Sequence, residues 1–119
     1  NKLASIGFCW GGARSFLLST SENKLTAAVV FYGSAPNDAE LAKVHCPVFG
    51  VYGEKDERIT TVVPKVSETM KINKKSFEYK IYKDAQHAFF NDSNQQRYNA
   101  ESAKDAWIQT LAFLRKNLK

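Results

Sequence analysis

The sequence predicts an α/β fold in which about four strands form a parallel sheet and alternate with four helices. Two continuous apolar runs, Leu25–Tyr32 and Pro47–Tyr52, are closed by Gly33 and Gly53 respectively. Such runs are typical of strands that are buried on both faces of a parallel sheet. Helical patterns lie between the strands, and this alternation implies right-handed crossover units. Functional groups are therefore expected at the carboxyl ends of the strands.

The first strand and the first helix are joined by a glycine-rich turn around Cys9. Leu3–Ile6 has the pattern of a buried strand, and Gly7 and Gly11 stand two residues before and two residues after the thiol. This spacing is typical of a nucleophile elbow, in which both glycines make room for a sharp turn and Gly12 lets the helix approach the sheet. The helix dipole would favour a thiolate at that position. The alternative is a glycine-rich turn that holds a buried, unreactive cysteine.

Two helices are predicted in the middle of the chain. Asp38 is a good N-cap for a short helix over Ala39–Val44. Thr60 or Thr61 could cap a second helix, in which Pro64 falls in the first turn and is tolerated there.

The last strand and the last helix differ in pattern from the preceding elements. Phe77–Tyr82 alternates apolar and charged residues, which predicts a half-exposed strand at an edge of the sheet. The final helix is predicted from about Asn99 to Asn117. Its buried stripe is expected to contain Ala103, Trp107, Leu111, Leu114 and Leu118.

Length and composition limit the class of protein. The chain has 119 residues, of which 44% are hydrophobic, so it forms at most one domain. The net charge of +5 comes from scattered lysines, which predicts neither a nucleic-acid partner nor a membrane partner. Because the chain begins with Asn1 directly before a strand, we expect it to be the C-terminal piece of a longer protein.

The two cysteines are expected to remain thiols. Cys9 ends one strand and Cys46 begins another, so they should lie about 15 to 20 Å apart at opposite edges of the sheet. His45 is the only neighbour of Cys46 with metal-ligating chemistry, and the two side chains would point to opposite faces, so no metal site is predicted. Thiols of this kind suit a cytoplasmic location.

Three successive strand ends carry Cys9, Asp56 and His87 in that order. A thiol attacks an acyl carbon as thiolate, an imidazole moves its proton, and a carboxylate orients the imidazole. The order nucleophile, acid, histidine is that of the α/β-hydrolases. Glu54 is the second choice for the acid, and Asp84 is expected to cap its own turn.

These residues give the sequence a resemblance to the dienelactone hydrolase family, a cysteine branch of the α/β-hydrolases. The resemblance covers the whole chain through Gly7–Gly12, Tyr52–Asp56, His87–Asn91, Tyr98–Asn99 and Ala106–Trp107. It implies that the chain is the C-terminal half of an α/β-hydrolase fold.

The resemblance also implies roles for individual residues. Cys9 would be the nucleophile, His87 the base and Asp56 its orienting acid, and the N–H of Trp10 would donate to the oxyanion. Phe31 matches an aromatic position that lines the substrate pocket, and Phe89 and Asn91 are assigned to the same pocket. Asn91 stands where the family enzymes that act on dienelactone carry a carboxylate-binding arginine, so the substrate is expected to differ.

The resemblance implies that the first four strands of the family, with a second oxyanion donor, are outside this chain. We therefore expect an ester or lactone hydrolase that forms a thioester and needs no metal or organic cofactor, and expect this chain alone to be nearly inactive. It should self-associate through Leu3–Phe8 or pair with the N-terminal half. The rival hypotheses are a non-catalytic binding or oligomerisation domain with an inert Cys9, and a redox-sensing cysteine, for which Cys46 is badly placed.

Overall fold

The computed structural model describes residues 2–91, 93 and 98–119, and it contains a parallel four-stranded sheet. The strands lie in the order of the chain, β1 (Ala4–Phe8), β2 (Ala27–Phe31), β3 (Val48–Gly53) and β4 (Phe77–Tyr82). Every neighbouring pair is parallel. The predicted fold class is confirmed, and the carboxyl ends of all four strands lie at one edge of the sheet.

Five helices occur in the described residues, one more than the sequence predicted. They are α1 (Trp10–Ser21), α2 (Asp38–Leu41), α3 (Glu57–Thr60), α4 (Val63–Ile72) and α5 (Ala100–Asn117). The additional helix is the single turn α3, and α4 begins at Val63 with proline in its first turn.

The predicted capping role of Thr60 and Thr61 is wrong. The Thr60 hydroxyl donates to the carbonyl of Gly53 at 2.6 Å, and the Thr61 hydroxyl donates to the carbonyl of Glu57 at 2.7 Å. Both hydroxyls therefore bond to preceding carbonyls instead of accepting the N–H groups of the next helix.

Asparagine side chains cap the helices α2 and α5. The Asn37 side chain accepts the N–H of Glu40 at 2.9 Å, so the cap lies one residue before the predicted Asp38. The Asn99 side chain accepts the N–H of Ser102 at 3.1 Å. The final helix thus starts where the sequence predicted.

The core lies on both faces of the two central strands, in which every residue is buried. On one face, Val29, Phe31 and Val51 pack with Ala106 and Phe113 of α5. On the other face, the alternate residues of the same strands pack against α1, α2 and α4. The arrangement explains why β2 and β3 are apolar throughout.

The buried face of α5 differs from the predicted stripe. Its buried residues are Ser102, Ala103, Ala106, Thr110 and Phe113. Trp107 is 44% exposed, and Leu111, Leu114 and Leu118 are only partly buried. The small side chains allow the helix to lie close to the sheet, where Phe113 stacks on Phe49 with 5.5 Å between ring centroids.

The two edges of the sheet differ in chemistry. At the β4 edge, Lys80 pairs with Asp105 at 2.7 Å and Glu78 pairs with Lys116 at 3.4 Å, both across to α5. At the other edge is β1, which begins one residue later and ends two residues later than predicted. Its apolar pattern indicated a buried strand, but Ile6 is 43% and Phe8 is 39% exposed, which agrees with the exposed edge expected over Leu3–Phe8 in this chain. Within residues 2–91, 93 and 98–119, no helix combines the length and apolar character needed to cross a bilayer.

Candidate active site

Cys9 lies at the apex of a strained turn between β1 and α1. Its backbone has φ 56° and ψ −120°, outside the regions that non-glycine residues favour. The Cys9 N–H donates to the carbonyl of Phe31 at 3.0 Å, and the Cys9 carbonyl accepts the N–H of Ala13 at 3.2 Å. The turn is therefore tied both to the end of β2 and to the first turn of α1.

Glycines allow close contact around this turn, but not all of them in the predicted way. A Cβ on Gly7 would lie 2.0 Å from the carbonyl oxygen of Gly11, and one on Gly12 would lie 2.7 Å from that of Phe31. Apart from its chain neighbours and the backbone of its own helix, no described atom lies within 4 Å of a Cβ built on Gly11, so the predicted steric role of Gly11 is wrong. Gly33 has the role instead, because its Cβ would lie 2.3 Å from the nitrogen of Ala13.

Asp56 and His87 are in direct contact. Oδ2 of Asp56 lies 2.5 Å from Nδ1 of His87, and the two side chains are 9% and 29% exposed. A carboxylate only accepts hydrogen bonds, so Nδ1 carries the proton and the tautomer of the imidazole is fixed. Gly53 permits the contact, because a Cβ there would lie 2.5 Å from the carbonyl oxygen of Ala85.

The two alternative carboxylates lie elsewhere. Oε1 of Glu54 accepts the N–H of Asp84 at 3.1 Å, which braces the loop that carries His87. Both of these residues are exposed. Among the described residues, Asp56 is the carboxylate that contacts the imidazole of His87.

A cavity of about 470 Å³ brings the candidate residues together. Cys9 and His87 both line it, and Trp10 and Arg58 contribute a large aromatic and a cationic side chain. The remaining lining residues are Ala13, Tyr32, Ser34, Ile59 and Val62. The wall is thus largely apolar, with a thiol and an imidazole as its reactive groups.

Trp10 is the first residue of α1, so its N–H has no carbonyl acceptor within the helix. Its side chain is 72% exposed, and the guanidinium of Arg14 lies 4.7 Å from the ring centroid. The residue can therefore present a backbone donor beside Cys9.

The structure places the three predicted pocket residues outside this cavity wall. Phe31 and Phe89 are fully buried in the core, where each contacts the ring of Tyr32. Asn91 is exposed, and its side chain accepts the N–H and the hydroxyl of Ser93. The aromatic wall residue is instead Tyr32, which directly follows Phe31.

Sequence reasoning missed Tyr32, Arg58 and Ile59. The position of Tyr32 at the last residue before Gly33 was a usable signal, since a strand end in a parallel sheet faces the site. Arg58 and Ile59 belong to α3, which was not predicted.

The pKa values of Tyr32 and Cys46 are both raised above their ordinary values. The pKa of Tyr32 is raised, mainly by burial and further by its electrostatic interaction with Cys9, while a hydrogen bond with the backbone of Phe90 lowers it. Burial alone raises the pKa of Cys46 to about 11. Cys46 packs in the core on the α1 side, whereas Cys9 packs against the cluster on the α5 side. Neither cysteine forms a disulfide.

Metal-ligating side chains do not gather in the described ranges. No group of three or more His, Cys, Asp or Glu residues suited to a metal ion occurs there.

The sheet, the strained turn and the cavity at the strand ends define a chain of the α/β-hydrolase class. An alpha/beta hydrolase enzyme from a deep-sea metagenome library matches 97% of this chain and 54% of its own with a TM-score of 0.77. The two are 15% identical, so this likeness shows the fold alone.

The family model described as the dienelactone hydrolase family matches residues 1–118. The chain therefore belongs to the dienelactone hydrolase family.

Two relatives show how much of a family member the chain spans. A protein of Saccharolobus solfataricus named "Putative carboxymethylenebutenolidase" is 41% identical over 116 residues, which are 97% of this chain and 44% of that protein. A crystal structure from Klebsiella pneumoniae titled "Putative Dienelactone Hydrolase" is 33% identical, with a TM-score of 0.86 over 92% of this chain and 50% of its own. The chain thus spans about half the length of the relatives it matches.

Proposed function

We propose that the chain carries the catalytic residues of a hydrolase of ester or lactone bonds, with Cys9 as nucleophile, His87 as base and Asp56 as orienting acid. The observation that carries this proposal is the contact of Asp56 with His87 at the wall of a cavity that Cys9 also lines. Membership of the dienelactone hydrolase family supports it.

Acylation would begin with transfer of the Cys9 proton to Nε2 of His87, the ring nitrogen that Asp56 does not engage. The thiolate attacks the carbonyl carbon and the carbonyl oxygen becomes an oxyanion. When the intermediate collapses, the bond from carbon to the leaving oxygen breaks, and the imidazolium of His87 gives its proton to that oxygen. The product is a thioester on Cys9 and a free alcohol.

Deacylation would repeat the same steps with water. Nε2 of His87 takes a proton from water, hydroxide adds to the thioester carbon, and the thiolate leaves as the carboxylic acid forms. The imidazolium of His87 then returns its proton to the Cys9 thiolate, which restores the starting state. Throughout, the Asp56 carboxylate would stabilise the imidazolium and hold its orientation. The N–H of Trp10 would donate to the oxyanion in both halves of the reaction. These steps use no metal or organic cofactor.

The cavity suggests the class of acyl group. Its wall combines Trp10, Tyr32 and Ile59 with the single cation Arg58 among the described lining residues. A compact aromatic or unsaturated ester fits such a wall better than a long polar one. Asn91 supports a substrate other than dienelactone itself, because the resemblance associates that substrate with an arginine at this position.

Activity of the chain alone is expected to be low. The resemblance to the family implies that the second oxyanion donor belongs to strands that are outside this chain. The loss of one such donor typically lowers the rate by about 100- to 1,000-fold.

Trapping of the acyl group on the thiol tests the proposal even when turnover is slow. We expect brief exposure to p-nitrophenyl acetate to leave one acetyl group on the peptide that contains Cys9, with release of p-nitrophenol. Cys46 should remain unmodified near neutral pH, because its pKa of about 11 keeps it protonated. Peptide mapping by mass spectrometry identifies the acylated thiol.

Matched variants separate this function from the rival one. Cys9→Ala should abolish the acetyl adduct, and Cys46→Ala should retain it. Acetylation of Cys46 in the folded wild type, or no adduct at either thiol, would favour a non-catalytic binding or oligomerisation domain with an inert Cys9.

A further inference from the structure

Hydrogen bonds fix the backbone of Asp56 on both sides. Its N–H donates to the carbonyl of Gly53 at 3.1 Å, and its carbonyl accepts the N–H of Thr60 at 2.9 Å. The hydroxyl of Thr60 donates to the same Gly53 carbonyl at 2.6 Å. These three bonds form a closed hydrogen-bond cycle that joins the end of β3, Asp56 and the last residue of α3.

The side chain of Asp56 has two possible uses at this position. Asp56 stands at the N-cap of α3, and aspartate is among the residues that most favour capping. Within the described residues, however, its side chain makes no capping hydrogen bond, and the carboxylate contacts Nδ1 of His87 instead. The backbone of Asp56 must therefore be held so that the carboxylate faces the imidazole and not the N–H groups of its own helix.

The hydroxyl bond of Thr60 is well placed to hold this backbone. Gly53 ends a strand in which every residue is buried, so its carbonyl is a rigid point of attachment. A carbonyl oxygen has two lone pairs and can accept both bonds of the cycle. A helix of four residues has little stability of its own, so α3 depends on such contacts for its position.

We propose that Thr60 is a positioning residue, whose hydroxyl holds the backbone of Asp56 so that the carboxylate contacts His87 instead of capping α3. The inference rests on the proposed function, because the contact matters to chemistry when His87 takes the proton of Cys9. Loss of the hydroxyl would allow α3 to shift and the carboxylate to turn toward the N–H groups of that helix. The imidazole would then lose both its fixed tautomer and the negative charge that stabilises the imidazolium.

Thr60→Val removes the hydroxyl and keeps the branched shape of the side chain. We expect it to slow the acetylation of Cys9 by p-nitrophenyl acetate by roughly 10-fold. Single-turnover release of p-nitrophenol by the full 119-residue chain measures the rate. The midpoint of the pH profile of Cys9 alkylation by iodoacetamide should also rise by about half a pH unit toward the ordinary thiol pKa of about 8.5, because a less stable imidazolium supports the thiolate less well.

Two matched variants separate the hydroxyl from the other properties of the side chain. Thr60→Ser keeps the hydroxyl and should retain the wild-type rate and midpoint. Thr61→Val also removes a hydroxyl that donates to a preceding carbonyl, that of Glu57 at 2.7 Å, but this bond joins Thr61 to α3 itself. Its rate should equal that of the wild type. An equal loss in Thr60→Val and Thr61→Val, or an equal loss in Thr60→Val and Thr60→Ser, would refute the role of the Thr60 hydroxyl.

A double substitution tests whether Thr60 acts through Asp56. In an Asp56→Asn background there is no carboxylate to position, so the addition of Thr60→Val should cause no further loss of rate. A further loss as large as that in the wild-type background would show that Thr60 acts elsewhere and would overturn the inference.

Asp56→Asn alone distinguishes failure of the inference from failure of the proposed function. If Asp56→Asn slows acetylation of Cys9 while Thr60→Val leaves it unchanged, the role of Thr60 is refuted and the proposed function stands. If neither Asp56→Asn nor His87→Ala slows acetylation of Cys9, both are refuted.

Hydrogen exchange of the wild-type chain gives a readout that does not depend on the folding of any variant. We expect the amide protons of Asp56 and Thr60, and the hydroxyl proton of Thr60, to exchange more slowly than in an unstructured peptide, because all three are donated within the cycle. Exchange of these protons at the rates of an unstructured peptide would overturn the inference.

Discussion

At the scale of single residues, Asp56 and His87 meet although 31 positions separate them in the sequence. The contact depends on Gly53, which lets the end of β3 approach the carbonyl of Ala85, and on Glu54, which braces the backbone of Asp84. Residues without a chemical role thus determine which of three nearby carboxylates reaches the imidazole.

Asp56→Asn tests the orienting role. The amide keeps the size of the side chain but no longer enforces the imidazole tautomer, so we expect acetylation of Cys9 by p-nitrophenyl acetate to slow by roughly 100- to 10,000-fold. Single-turnover release of p-nitrophenol measures the rate.

Asp84→Asn is the control for this substitution, because Asp84 is exposed and enters the brace through its N–H. Its rate should equal that of the wild type. An equal loss of rate in the two variants would show that the negative charge of the loop, and not the contact of Asp56 with His87, supports the acetylation of Cys9.

Sequence order alone could rank Asp56 above Glu54 and Asp84, because it follows the strand-closing glycine by a few residues. The pocket residues were harder to predict. Phe31 and Tyr32 are adjacent, and the positive φ of Tyr32 decides which of the two rings borders the cavity. A backbone conformation that the residue type disfavours leaves no mark in the pattern of apolar residues.

At the scale of elements, the turn between β1 and α1 contains a natural matched pair of glycines. Gly7→Ala would place a Cβ against the carbonyl of Gly11, whereas the Cβ of Gly11→Ala meets no described atom within 4 Å outside its chain neighbours and its own helix backbone. We expect Gly7→Ala to lower the free energy of unfolding by about 1–3 kcal/mol or more.

Gly11→Ala should be neutral or stabilising by roughly 0.5–1 kcal/mol, because alanine in a helix costs less conformational entropy than glycine. Urea unfolding followed by circular dichroism measures both changes. Equal destabilisation by the two substitutions would contradict the packing at this turn.

The four strands, α1 and α5 were predictable because each has a clear pattern of apolar residues, which glycines reinforce at β1, β2, β3 and α1. The helix α3 was not, since a single turn is too short to show a period. The face of α5 was misjudged for a different reason. Large residues such as Trp107 were taken as buried, but small residues at the interface bring the helix closer to the sheet.

At the scale of the whole molecule, the two edge strands of the sheet differ in whether charged side chains discourage pairing with another chain. β4 carries Glu78 and Lys80, whose charges discourage pairing with another chain. β1 contains neither a charged residue nor proline. A groove of about 420 Å³ beside it is lined in part by Ile6, Leu17 and Leu18, together with Arg14 of α1 and small or polar residues. We propose that the β1 edge pairs with the β1 edge of a second copy when no other strand covers it.

Ile6→Lys tests this proposal. Because the N–H of Cys9 and the carbonyl of Leu3 bond toward β2, alternation places the backbone groups of Ile6 on the open side. A lysine there should disfavour pairing, and we expect light scattering to show a lower mean mass than for the wild type at equal concentration.

Tyr79→Lys on β4 is the control, since Tyr79 is comparably exposed at the opposite edge. It should leave the association state unchanged. A wild-type chain that stays monomeric at high concentration would contradict pairing through β1.

The parallel order of the strands also determines when the proposed activation of Cys9 by His87 could arise during folding. Each neighbouring pair is joined by a helical crossover, so the contacts of the sheet are long-range in sequence and form slowly. The Asp56–His87 pair can close only after β4 has docked beside β3. Cys9 should therefore behave as an ordinary thiol on the nascent chain and become activated at the last pairing step. The alkylation rate of Cys9 would then report when β4 has paired with β3 and the sheet is complete.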